Sequence, residues 1–266
     1  MKNIASIFLI SILLTFKAFG SGIGLSSLTK SDFKKVNEEF AANKKHTAVS
    51  AASLLADDKK FEVSLIIGSS QSHTLGELSK AQDSSNDNAQ SIPYVGLMGI
   101  MTLPKDLNAE LLVLPVTHAY GFASGQLSGA LKWSPKKYFD LPLNVAAKAF
   151  GGFSQNKWEQ TVSSANVDVT SNQITYGLDV QFSKKFLMVE PYLNLGAIQT
   201  HGTIKNTGSA PIFDSSFSSS NEESTTISGL TYAVGAELDA WLMKVGVEYG
   251  QVYRNSFMKA KISTQF

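Results

Sequence analysis

From Phe61 to the C-terminus the chain alternates apolar and polar positions with a period of two. The cleanest stretch is ITYGLDVQF, where Ile174, Tyr176, Leu178, Val180 and Phe182 oppose Thr175, Gly177, Asp179 and Gln181. FEVSLIIG, LPLNVAAKAFGGF, and the runs Val189 to Gly196, Leu230 to Asp239 and Val245 to Gly250 behave the same way. Successive side chains of a strand point to opposite faces, so each stretch predicts a strand with one apolar and one polar face, the signature of an antiparallel sheet. The last strand follows suit: Met258, Ala260, Ile262, Thr264 and Phe266 share one parity, and Lys259, Lys261, Ser263 and Gln265 the other. With Leu127 to Trp133 and two stretches apolar on both parities, near 93–103 and 109–116, about ten strands are expected, within roughly 8 to 12.

One helical period precedes them. Between Leu28 and Phe40, Thr29 can cap with Asp32, Leu28 can staple onto Phe33, and Phe33, Val36 and Phe40 form a single apolar face. Such a helix docks that face on the main domain, or alternatively seats in or near its mouth. Ahead of it, Lys2, the apolar run Ile4 to Phe16 and Ala18-Phe19-Gly20 read as a secretory signal cut before Ser21. The run is short against the about 20 residues of a membrane-spanning helix. The expected organisation is a signal peptide over 1–20, a periplasmic helical segment over 21–60 and a β domain over 61–266.

The links between strands alternate long and short. SQNKWEQTVSSANVDVTSNQ and KNTGSAPIFDSSFSSSNEEST read as long loops, PKDLN and SKKF as tight turns, and YRNS as a short link on the long side. Trp133, Tyr138, Phe139, Phe182, Phe186, Trp241 and Phe266 cluster at the short-turn end, where a girdle at a lipid–water boundary places its rings.

These features resemble those of bacterial outer-membrane β-barrel proteins: a signal segment, dyad strands and a terminal MKAKISTQF closing on Phe266. The resemblance implies an all-β, up-and-down antiparallel transmembrane barrel in the outer membrane. It also implies lipid as surroundings and the barrel-assembly machinery as a partner, through the strand ending at Phe266. A helix ahead of the first strand is also similar to the N-terminal plugs of fatty-acid-transport barrels, which are much longer chains.

Composition narrows the function. The chain has no cysteine, so thiolate chemistry is excluded. A net charge of +1 with 17% charged residues leaves no basis for nucleic-acid binding. His46, His73, His118 and His201 stand in no motif with Ser or Asp at a telling spacing. No catalytic residues, metal ligands or cofactor are therefore assigned. On the polar parity, Lys148, Asp179, Glu190, Glu237, Glu248, Lys259 and Lys261 would face a narrow lumen, where charges must pair. Glu248 is expected opposite Lys261, and Glu237 opposite Lys244. The expected function is a structural barrel, narrow pore or small apolar-solute path. The alternatives are a soluble secreted or periplasmic β-sandwich that binds a ligand on its loops, and an outer-membrane hydrolase.

Overall fold

The computed structural model describes residues 30–55, 58–82, 90–119, 122–135, 142–162, 165–212, 215–240 and 243–266. Helix α1 (Lys30–Lys44) comes first, and strand β1 (Phe61–Ser72) and helix α2 (His73–Gln82) follow. Then come β2 (Gln90–Leu103), β3 (Leu107–Ala119), β4 (Phe122–Trp133), β5 (Asn144–Val162), β6 (Ala165–Ser183), β7 (Val189–Ile212), β8 (Ser215–Ala240), β9 (Met243–Val252) and β10 (Asn255–Gln265). Each strand pairs with its sequence neighbour, and β1 pairs antiparallel with β10, closing a ten-stranded up-and-down barrel. Phe266 completes the seam, donating its N–H to the Phe61 carbonyl and accepting from the Lys60 N–H at 2.7 Å.

The period-two pattern dictates which way each face points. Leu178, Leu230, Met258, Leu97 and Leu131 point outward and are more than half exposed, while Asp179, Thr231, Lys259 and Lys132 point inward and are buried. On β6 the outward apolar set runs from Ile174 to Phe182. That matches the about 9–11 residues a tilted strand needs to cross a bilayer. The apolar parity therefore coats the barrel outside instead of filling the space between two sheets, which excludes the β-sandwich. No helix among the described residues is long and apolar enough to cross a membrane.

The two rims differ. The turn rim carries the links β2–β3, β4–β5, β6–β7 and β8–β9 together with the β1–β10 ends. Trp133, Phe182, Phe186 and Phe266 are exposed there; Tyr138, Phe139 and Trp241 lie outside the described residues. The opposite, tall rim corrects two expected loops. The stretches around 154–173 and 205–225 continue as paired strand almost to their tips, Val162↔Ala165 and Ile212↔Ser215. Strand β7 is 24 residues and β8 26, about 80 Å of strand at roughly 3.3 Å per residue. Their Ser, Thr and Asn residues read as loop by composition, but two such segments can satisfy each other's backbone in a ladder. The YRNS link is a two-residue turn, with Tyr253 and Arg254 at positive φ, the twist that hairpin turns require.

Helix α2 falls in a stretch that reads as loop. Its first N–H groups are capped from outside: the Glu39 carboxylate of α1 accepts from Thr74 N at 2.6 Å and Leu75 N at 3.1 Å. Those are the donors a helix start leaves without partners.

Candidate functional site: a lumen filled by the N-terminal segment

Helix α1 lies inside the barrel, not docked on its outside. Its face Phe33, Val36 and Phe40 packs with Leu75 of α2 and with Ile92, Trp158, Val169 and Ile204 of the wall near the tall rim. The helix thus occupies an apolar upper chamber, and the alternative of a seat in the mouth is the arrangement found. Below Lys44 the chain becomes extended, and Lys45 to Ala52 descend the middle of the lumen, all buried. Small side chains let it pass: Ala48, Ala51 and Ala52 are fully covered. At Gly246 an added Cβ would stand 2.7 Å from the Val49 carbonyl oxygen. Val49 itself has φ 48°, a conformation that a β-branched residue adopts only where the surroundings force it.

All seven charged residues expected in the lumen face it and are buried. Their pairing differs from expectation by two positions of register. Glu248 lies opposite Lys259, with Gly246 opposite Lys261. Across the β8–β9 ladder Lys244 faces Asp239, and Glu237 faces Gly246. The side chains reach further than nearest neighbours: Lys261 bridges Glu237 at 2.6 Å and Glu62 at 2.9 Å. Lys148 stands 3.7 Å from Asp179.

Most of these groups hold the threaded segment. Asp179 takes Lys45 at 3.0 Å, Glu248 accepts from Thr47 Oγ1 at 2.7 Å, and Glu190 accepts from Ser53 Oγ at 2.9 Å. Glu237 accepts the Ala51 N–H at 2.8 Å, and Ser183 Oγ accepts that of Ala52 at 3.1 Å. Two lysines grip carbonyls: Lys259 those of Asn43 and Lys45, with its ammonium 3.9 Å from the Tyr94 ring centre, and Lys132 those of Ala51 and Ser53. Gln126 adds the Lys44 carbonyl at 2.6 Å. The segment thus meets wall donors and acceptors in the way a strand meets its ladder, with charge-assisted bonds worth more than neutral ones.

Sequence reasoning missed the segment's own contributors Lys45, His46, Thr47 and Ser53, and the wall residues Glu62, Glu110 and Lys132. The wall residues sit on the inward parity of strands already recognised, so period two carried a signal for them. The stretch KHTAVSAAS has neither period, and nothing local marks it.

His46 makes one arrangement of catalytic type. Its Nδ1 is 3.0 Å from Ser128 Oγ and its Nε2 is 2.9 Å from Glu110 Oε2. The spacing suits a nucleophile, base and orienting carboxylate. All three side chains are buried, and the adjoining cavity, lined by Gln126, Ser128 and Phe150, measures about 10 Å³, the room of about one water molecule. The trio therefore joins the plug to β3 and β4. His201 is exposed and bonds Thr226, and His73 is exposed on α2. The His118 side chain lies outside the described set.

A family model described as a family of unknown function, DUF6588, matches residues 2–259. Comparison of the sequence with curated proteins gives no match. Among solved structures, the chain is similar to Ail, the attachment invasion locus protein of Yersinia pestis, at 13% identity and a TM-score of 0.33, over 78% of this chain and 97% of that one. It is also similar to the outer membrane protease OmpT from Escherichia coli, at 8% identity and a TM-score of 0.43, over 82% and 100%. For the translocator domain of autotransporter NalP from Neisseria meningitidis the values are 9% and 0.39, over 80% and 91%. These neighbours are bacterial outer-membrane barrels.

Proposed function

The chain belongs to that family of unknown function, and from its own geometry we propose that it is an outer-membrane barrel held shut by its N-terminal segment. At rest it is a structural barrel. It becomes a narrow polar path only when the plug is displaced. The observation that carries this reading is the unbroken burial of Glu39 to Ala52 inside the lumen, with wall charges bonded to the plug along its length. The outward apolar belt supports lipid as the surroundings, since water would have to wet a closed ring of aliphatic side chains.

The lining bears on what an opened path would pass. With the plug gone, Glu62, Glu110, Lys132, Lys148, Asp179, Glu237, Glu248 and Lys261 would line the bore, so ions and small polar solutes suit it better than apolar ones. A hydrolase finds no support in the sealed Ser128–His46–Glu110 trio, because a substrate needs a route to the nucleophile.

Planar-bilayer recording of the purified, folded protein tests the proposal. The unmodified chain should be nearly silent, and the Lys45→Ala/His46→Ala variant, which loses the bonds to Asp179, Glu110 and Ser128, should show discrete openings. A steady large conductance from the unmodified chain would overturn the closed state, and a freely dissolved monomer without detergent would overturn the membrane assignment.

A further inference from the structure

The two ends of the plug lie at opposite rims. Near the tall rim, Asn43 donates to Ser70 Oγ and the Ile92 carbonyl, at the late end of β1 and the early end of β2. Glu39 accepts from Ser72 and Thr74 just beyond. Near the turn rim, Ser53 reaches Glu190, the Lys59 carbonyl accepts from Thr102 Oγ1, and Lys60 N donates to Phe266. Residues 39–52 between them are buried without a break. The chain therefore passes once through the whole lumen before it enters the wall as Phe61.

We infer that this segment crosses the membrane inside the barrel, so that the first turns of α1 face the cell exterior while Asp58 faces the periplasm. The inference rests on the outer-membrane reading above. Ser31, Lys34 and Lys35 are exposed at the tall rim, where β5 to β8 stand beyond the apolar belt, and Asp58 is exposed beside the β1–β10 seam. Outer-membrane barrels put short turns on the periplasmic side and long hairpins outside, which fixes the sense of the crossing. On this inference the segment expected to be periplasmic, 21–60, spans the lumen instead, and among its described residues Ser53, Lys59 and Lys60 lie at the periplasmic rim.

Two consequences follow from the geometry. The β1–β10 ladder encloses the segment, so the chain that enters the wall at Phe61 is held on the lumen side of that seam. The barrel also presents α1 at the cell surface while tying it to Lys45, His46 and Thr47 within. A partner that pulls on the exposed turn around Lys34 and Lys35 would act directly on the bonds that keep the lumen shut.

The chain lacks cysteine, so single cysteines report sidedness cleanly. Four variants, each checked for heat-modifiable migration, are exposed to a membrane-impermeant maleimide in intact and in permeabilised cells. Lys205→Cys on the β7 hairpin and Lys184→Cys at the turn rim serve as references, and Lys35→Cys and Asp58→Cys test the segment. Lys35→Cys should label in intact cells to the same extent as Lys205→Cys. Asp58→Cys and Lys184→Cys should gain label several-fold only on permeabilisation. If Lys205→Cys labels in intact cells but Lys35→Cys does not, the threading is wrong and the barrel reading stands. If Lys205→Cys is itself protected, the outer-membrane orientation fails and the inference with it. Should the Lys35→Cys chain not fold, trypsin added to intact cells reads the unmodified protein: cleavage after Lys34 or Lys35 supports threading, and protection of both while Lys205 is cut overturns it.

Discussion

Glu190 and Glu237 face each other directly across the β7–β8 ladder, two buried carboxylates at one register position. Like charges so placed destabilise a pair, and here each turns to different partners. Glu190 accepts from Ser183 at 2.6 Å, Asn144 at 2.9 Å and Ser53. Glu237 takes Lys261 and the Ala51 N–H. Lys261→Met should therefore leave both Glu237 and Glu62 without the ammonium that bridges them, and with only neutral donors, the Ala51 N–H for Glu237 and Gln265 and Ser64 for Glu62. Removing one partner of a buried ion pair costs about 3–5 kcal/mol, so the denaturant midpoint in detergent should fall well below that of the unmodified chain. A variant within about 0.5 kcal/mol would mean water reaches these carboxylates.

Two glycines give a paired test of the plug path. Gly246 leaves 2.7 Å between its would-be Cβ and the Val49 carbonyl, whereas nothing lies within 4 Å of a Cβ at Gly99. Gly246→Val should crowd the descending segment and raise both bilayer openings and proteolysis near Asp58. Gly99→Ala should leave both unchanged, with stability within about 0.5 kcal/mol. Equal behaviour of the two variants would show that the segment does not press on β9.

Glu39 joins α1 to the start of α2. Glu39→Ala removes the acceptor of Thr74 and Leu75 N–H groups, a capping loss of about 0.5–2 kcal/mol. Hydrogen exchange should quicken over residues 74–77 and stay slow in β6 and β7. Unchanged exchange in α2 would count against the cap.

The barrel was legible because lipid and lumen impose opposite demands on alternate residues: Leu178 beside Asp179 and Met258 beside Lys259 state the two faces outright. The Glu248–Lys259 register was not, since a two-residue slip preserves every side chain's face and only the turn at Tyr253 and Arg254 fixes the pairing. The seat of α1 was half legible. Phe33, Val36 and Phe40 announce an apolar face without saying what covers it. Lys45 to Ser53 were illegible, because a strand-like segment bonded to side chains on a surrounding wall needs no periodicity of its own. Glu39 capping α2 was hidden for a related reason, as the cap and the helix it serves are 35 residues apart for Thr74.

Lys132 and Lys148 oppose each other across β4 and β5, and their tasks separate the plug from the wall. Lys148 answers Asp179 at 3.7 Å, while Lys132 answers Ala51 O at 2.9 Å, Ser53 O at 3.2 Å and Ser50 Oγ at 3.3 Å, all on the plug. Lys132→Met keeps most of the volume, removes one of two facing ammonium groups and leaves the plug carbonyls without donors. The wall should lose little, since relief of the Lys132–Lys148 repulsion offsets the loss of a distant charge partner. The plug should lose contacts of about 1.5–3 kcal/mol apiece before relaxation. Bilayer openings should therefore increase while the heat-modification temperature of the barrel stays within a few degrees of the unmodified chain. Asp179→Asn supplies the contrast: it leaves Lys45 and Lys148 both without their carboxylate, and it should lower that temperature as well as open the lumen. If Lys132→Met lowers the temperature as far as Asp179→Asn, plug and wall unfold as one unit, and a closed state that can be opened without melting the barrel is ruled out.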